Sequence, residues 1–122
     1  MQFIRGKVIK GEQIGKQLGF PTANLSRRVL IGKRLGHGVY TALVRFNHNK
    51  KLALVIIGVP GIKKQPQGKV EVYILNFRGN LYGKFLLIEV YKKLRPIKKY
   101  TDAKSLDIQI RKDIQQARNF FK

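Results

Sequence analysis

Hydrophobic and polar positions alternate with period two along most of the chain and change to a helical period near its end. Phe3 to Ile9 is apolar-rich and partly alternating with Gly6 inside it, which predicts a short strand that bends or lies close to other backbone. Gly38 to Phe46 alternates well, Tyr40, Ala42, Val44 and Phe46 sharing a face, and N-H-N at 47–49 ends this strand as a turn. Leu52 to Ile57 is an unbroken aliphatic run, the pattern of a strand buried on both faces or of a barrel stave, closed by Pro60 and Gly61. In Lys69 to Phe77, Val70, Val72 and Ile74 point one way while Glu71, Tyr73, Leu75 and Phe77 point the other. R-G-N at 78–80 turns the chain, and Phe85 to Leu94 supplies a further strand.

The period then lengthens. Ser105 is placed to cap a helix, Asp107 suits its first turn, and Leu106, Ile110, Ile114, Ala117 and Phe121 fall at helical spacing. Five or six antiparallel strands followed by one amphipathic helix predict a small closed or half-closed β-barrel whose open end or side the helix covers. A helix-turn-helix lacks its second helix, whereas an oligonucleotide-binding barrel, with about five strands, fits the same count.

Composition narrows the chemistry. With 122 residues, 43% of them hydrophobic, residues 1–122 make one domain with a real core. Zero cysteines exclude disulfides and thiolate metal sites, and two histidines with six carboxylates leave few ligands for a protein-only metal cage, so a divalent ion would arrive with phosphate. No apolar run approaches the ~20 residues that span a bilayer and the first residues lack a signal-peptide pattern, so the expected setting is the cytoplasm, without membrane attachment, and the default state a monomer. Lys and Arg number 26, giving a net charge of +20 that should attract polyanions without saying which is recognised.

Chemistry concentrates between Gly6 and Asn24. Glycines at 6, 11, 15 and 19 allow close backbone approach, and bare N–H groups in turns hold phosphate oxygens, with Lys16 nearby. The Walker pattern is absent: three residues, not four, separate Gly11 from Gly15, and Gln17 follows Lys16. Thr22 and Asn24 project to the same side in extended backbone, where they either serve as neutral oxygen ligands to Mg²⁺ or hydrogen-bond a turn. Glu71, an acid on an apolar and aromatic strand face, is either a general base toward an alcohol or the partner of a surface cation. Arg95, before Pro96, is either a fixed ligand contact or a surface charge.

Taken together, L-G-F-P-T-A-N at 18–24, G-V-Y at 38–40, E-V-Y-I-L-N-F at 71–77, L-Y-G at 81–83, L-R at 94–95 and the closing I-R-K-D with A-R resemble the riboflavin kinase family, the flavokinase domain of bacterial bifunctional riboflavin kinase/FAD synthetases. The resemblance runs from Gly6 to about Arg118. It implies a six-stranded antiparallel Greek-key β-barrel with a C-terminal α-helix, and transfer of the ATP γ-phosphoryl group to riboflavin, giving FMN and ADP. It further implies Thr22 and Asn24 as Mg²⁺ and phosphate ligands, Glu71 as general base toward the ribityl 5′-hydroxyl, Gly11, Gly15 and Lys16 over the nucleotide phosphates, and Arg95 on the flavin-side loop. This chain departs from the family pattern at Ile56, at Pro60-Gly61-Ile62, at Tyr73, at Asn76 and at Ile97. Two rival expectations are a barrel that binds flavin or nucleotide without turnover, and a basic nucleic-acid-binding barrel using Tyr82, Tyr91 and Tyr100 if these lie outside.

Overall fold

The computed structural model describes residues 1–10, 22–58, 69–98, 100 and 102–122. Six strands, β1 (Gln2–Ile9), β2 (Ala23–Ser26), β3 (Gly38–Phe46), β4 (Asn49–Gly58), β5 (Lys69–Ile74) and β6 (Phe85–Arg95), form a closed antiparallel barrel in the order β1-β2-β5-β4-β3-β6. Strands β3, β4 and β5 follow one another as neighbours and β6 returns to lie beside β3, which is a Greek key. A four-residue 3-10 turn, Arg27–Leu30, follows β2, and the helix α1 (Ala103–Phe120) ends the fold. Among the described residues no helix is long and apolar enough to cross a membrane.

Alternation decides which side chains enter the barrel. Ile4 and Val8 of β1, Tyr40, Ala42 and Val44 of β3, Ala53, Val55 and Ile57 of β4, Val70, Val72 and Ile74 of β5, and Leu86, Ile88 and Val90 of β6 fill one buried cluster. At about 1.5–3 kcal/mol for each large aliphatic side chain buried, this interior is the main source of stability. A second cluster lies outside the wall, where Ile114 and Ala117 of α1 cover Leu52, Leu54, Tyr73, Leu75 and Leu94. The helix thus covers a side of the barrel, and the strand β4, apolar on both faces, is explained by it.

The structure corrects several sequence expectations. The turn after β3 is two residues long: Asn47 and His48 take φ of 47° and 64°, and Asn49 already pairs with Phe46. That is the left-handed pair a tight hairpin needs, and asparagine tolerates it well. Strand β5 stops at Ile74 because Asn76 turns the chain at φ 54°; Phe77 therefore leaves the face of Glu71 and packs edge-to-face on Phe46 against the barrel core. Asp102, not Ser105, caps α1: its carboxylate accepts from the Ser105 backbone N–H at 2.7 Å, so the helix starts earlier. Strand β2 is too short for its period to stand out in the sequence.

Candidate active site

One lateral row of cross-strand partners runs around the wall. Ile9 on β1 pairs with Asn24 on β2, Asn24 with Glu71 on β5, Glu71 with Ile56 on β4, Ile56 with Val39 on β3, and Val39 with Arg95 on β6. Directly opposed residues of antiparallel strands share a face. Since Leu25, Val70, Val72 and Ile57 point into the core, Asn24 and Glu71 project outward side by side, their Cβ atoms about 5 Å apart. The helix covers Tyr73 of β5 and Leu75 just beyond it, and leaves Glu71 half-buried beside its neighbours.

Thr22 immediately precedes β2 and lies two residues from Asn24. Thr22 Oγ1 and Asn24 Oδ1 are both buried and neither has a hydrogen-bond partner among the described residues, although Asn24 is only 3% exposed. Folded proteins seldom leave such atoms unpaired, and doing so costs about 1–3 kcal/mol each. Two neutral acceptor oxygens without a donor are the chemistry of a hard cation's ligands, so these residues fit a divalent ion arriving with phosphate. Among the described residues there is no group of three or more His, Cys, Asp or Glu suited to a protein-only metal site.

Arg95 closes the row three strands from Glu71, about 14 Å along the wall. Its guanidinium grips Asp113 of α1 through both ends, Nε to Oδ1 at 2.8 Å and Nη2 to Oδ2 at 2.7 Å, and Gln109 donates to the same carboxylate at 3.0 Å. Burial disfavours the charge on Arg95, but the Asp113 carboxylate outweighs it and holds the guanidinium above its ordinary pKa. The Tyr100 ring lies 5.9 Å from the same guanidinium, and burial pushes its phenol up. The segment after β6 turns back over the end of β4: a Cβ on Gly58 (φ 144°) would stand 2.8 Å from Ile97 Cγ1.

The structure therefore brings together Thr22, Asn24 and Glu71, and places Arg95 on the same row but in an ion pair with the helix. Gly11, Gly15 and Lys16 lie outside the described residues, as do Pro60 and Gly61; the flanks of the first segment, Ile9 and Asn24, are cross-strand partners in this row. Asp113, 1% exposed, closes the I-R-K-D motif of the resemblance but was given no role from sequence, though its place between Ile110 and Ala117 on the apolar stripe was the available signal. Of the three tyrosines whose exposure the nucleic-acid expectation required, only Tyr82 is exposed, at 54%; Tyr91 is held by Glu89 and the rings of Phe120 and Phe121, and Tyr100 is half-buried.

The flavokinase (riboflavin kinase) family profile matches residues 1–121. The chain belongs to the riboflavin kinase family. It is 35% identical over 115 residues to an RNA-binding riboflavin kinase, RibR, of Bacillus subtilis, covering 93% of this chain and 49% of that protein. It is 38% identical over 120 residues to a bifunctional riboflavin kinase/FMN adenylyltransferase of Listeria monocytogenes, covering 96% of this chain and 37% of that protein. A solved riboflavin kinase from Trypanosoma brucei superposes with a TM-score of 0.66 at 26% identity, over 97% of this chain and 78% of that one. As a riboflavin kinase family member the chain spans half or less of the length of these two curated relatives, and its barrel and terminal helix have the arrangement its sequence resemblance implied.

Proposed function

We propose that this chain, as a single riboflavin kinase-like domain over residues 1–122, transfers the γ-phosphoryl group of ATP to the 5′-hydroxyl of riboflavin, with FMN and ADP as products. One observation supports the reading most directly. The register of β2 with β5 sets a carboxylate, Glu71, beside an amide oxygen, Asn24, that has no partner.

Glu71 accepts the proton of the ribityl hydroxyl as its oxygen bonds to the γ-phosphorus and the bond to the ADP oxygen breaks, so no protein nucleophile is required. Asn24 Oδ1 and Thr22 Oγ1 would hold Mg²⁺, which would supply charge neutralisation on the phosphates when bound. Backbone N–H groups at Gly11 and Gly15, with Lys16, serve the phosphates, and Arg95 fixes the loop on the flavin side. Activity in the cytoplasm as a monomer accords with this chemistry.

The test is incubation of the full chain with riboflavin, ATP and Mg²⁺, with FMN and ADP followed by chromatography. Equal amounts of FMN and ADP, abolished by a chelator, are expected. No FMN with ATP, other nucleoside triphosphates or other divalent ions would overturn the proposal.

A further inference from the structure

The wall opposite the Asn24–Glu71 pair has a composition the kinase reading does not use. Ile4, Val8, Leu86, Ile88 and Val44 point inward, so Phe3, Arg5 and Lys7 of β1, Phe85 and Leu87 of β6, and Arg45 of β3 point outward. Phe3 is 47% and Phe85 67% exposed, and Arg5, Lys7 and Arg45 are exposed among them. The register interleaves these residues: Phe3 lies opposite Glu89, Arg5 opposite Leu87, Lys7 opposite Phe85, and Leu87 opposite Arg45.

Among the described residues Glu89 is the acid of this face, and it is already engaged. Arg45 Nε donates to it at 2.6 Å and the Tyr91 hydroxyl at 2.7 Å, while Lys50 Nζ stands 3.6 Å away. Arg45 still keeps 54% of its side chain in solvent. The face is thus cationic, with two solvent-facing aromatic rings set about 14 Å apart along the strands. Exposed rings interleaved with cations are the arrangement on which the bases of a polyanion can stack. The barrel is closed, so recognition here runs through side chains rather than a free strand edge.

We propose that this outer face of β1, β6 and the adjoining end of β3 binds single-stranded nucleic acid, with bases stacking on Phe3 and Phe85 and phosphates meeting Arg5, Lys7 and Arg45. Unpaired bases are the polyanion's flat faces, and a duplex would offer only phosphates to a shallow patch of this kind. An acidic protein surface would satisfy the cations but set carboxylates against the two rings. The proposal does not depend on phosphoryl transfer, because none of these residues lies in the row containing Asn24 and Glu71.

Fluorescence anisotropy with a labelled single-stranded oligonucleotide of about 12 residues, a length within the usual range for such platforms, tests it on the full chain. Phe3→Ala and Phe85→Ala are each expected to weaken binding at least about five-fold, the lower limit for one lost base stack. Arg5→Ala with Lys7→Ala should flatten the slope of log affinity against log salt by about 1.4, whereas Lys104→Ala with Lys112→Ala on the exposed side of α1 should not. A duplex and inorganic polyphosphate should bind less tightly than the single strand and be indifferent to the Phe substitutions. Equal binding of polyphosphate or an acidic peptide with no effect of either Phe substitution, or equal loss in the helix control, would overturn the proposal. Should a Phe→Ala variant fail to fold by circular dichroism, Phe85→Tyr, which keeps a stacking ring, against Phe85→Leu, which does not, decides the same point.

Discussion

Asn24 and Glu71 stand opposite one another on β2 and β5, a pairing that joins residues 47 positions apart in the chain into one outward-facing site. Glu71→Gln keeps the size and loses the proton acceptor. FMN formation is expected to fall by about 10²–10⁴ while ATP affinity stays near the parent value, because a general base acts in the transition state. Parent-like turnover in Glu71→Gln, measured by chromatography, would remove the base from the mechanism.

Recognisable residues and legible structure did not coincide everywhere along the chain. Strands β3, β4 and β5 and the helix could be read because each buries one regular face, or in β4 two. Strand β2 could not: four residues between a glycine-rich segment and a 3-10 turn carry too few periods, yet β2 is the strand that presents Asn24 to Glu71. The adjacency of Thr22, Asn24 and Glu71 thus followed only from tertiary pairing. Arg95 was legible as a residue of interest but not as the partner of Asp113, since nothing local links the end of β6 to the middle of α1.

Thr22→Val removes a buried oxygen that has no partner and keeps the shape of the side chain. Thermal stability without metal is expected to stay level or rise by up to about 1 kcal/mol. Half-saturating Mg²⁺ for FMN formation should rise about ten-fold, as one lost ligand interaction of about 1.4 kcal/mol implies. A lower melting temperature with an unchanged Mg²⁺ requirement would assign Thr22 a purely structural role.

Asp113→Ala leaves the Arg95 guanidinium, 18% exposed at its side chain, without its carboxylate. The expected loss is about 3 kcal/mol of unfolding free energy, read from urea midpoints. Asp113→Leu combined with Arg95→Met should cost less than Asp113→Ala alone, because no charge is then stranded under the helix. Additive losses would show that the two side chains act separately.

Glu89 provides the pH dependence. The Tyr91 hydroxyl bond, followed by Arg45 and Lys50, holds its carboxyl below the ordinary 4.5 against the opposing effect of burial. A pKa lower in the folded chain than in the unfolded one gives stability that is complete above the unfolded value and disappears as pH falls through the folded value. Melting curves between about pH 6 and about pH 3 should therefore show a smaller acid loss for Glu89→Gln than for the parent. An identical acid slope in both proteins would mean that the carboxylate contributes nothing to acid stability.

The hydrogen-bonded seam between β1 and β6 has a consequence for how the chain acquires its shape. Gln2 meets Val90 and Lys7 meets Phe85, so the first strand of the barrel must wait for its last before its backbone is satisfied. Contacts between such distant parts of a sequence make folding slow compared with helical bundles of similar size, and a nascent chain on the ribosome cannot close the cylinder until β6 has emerged. Closure is thus a late event, and only then does α1 have a finished wall against which to lie.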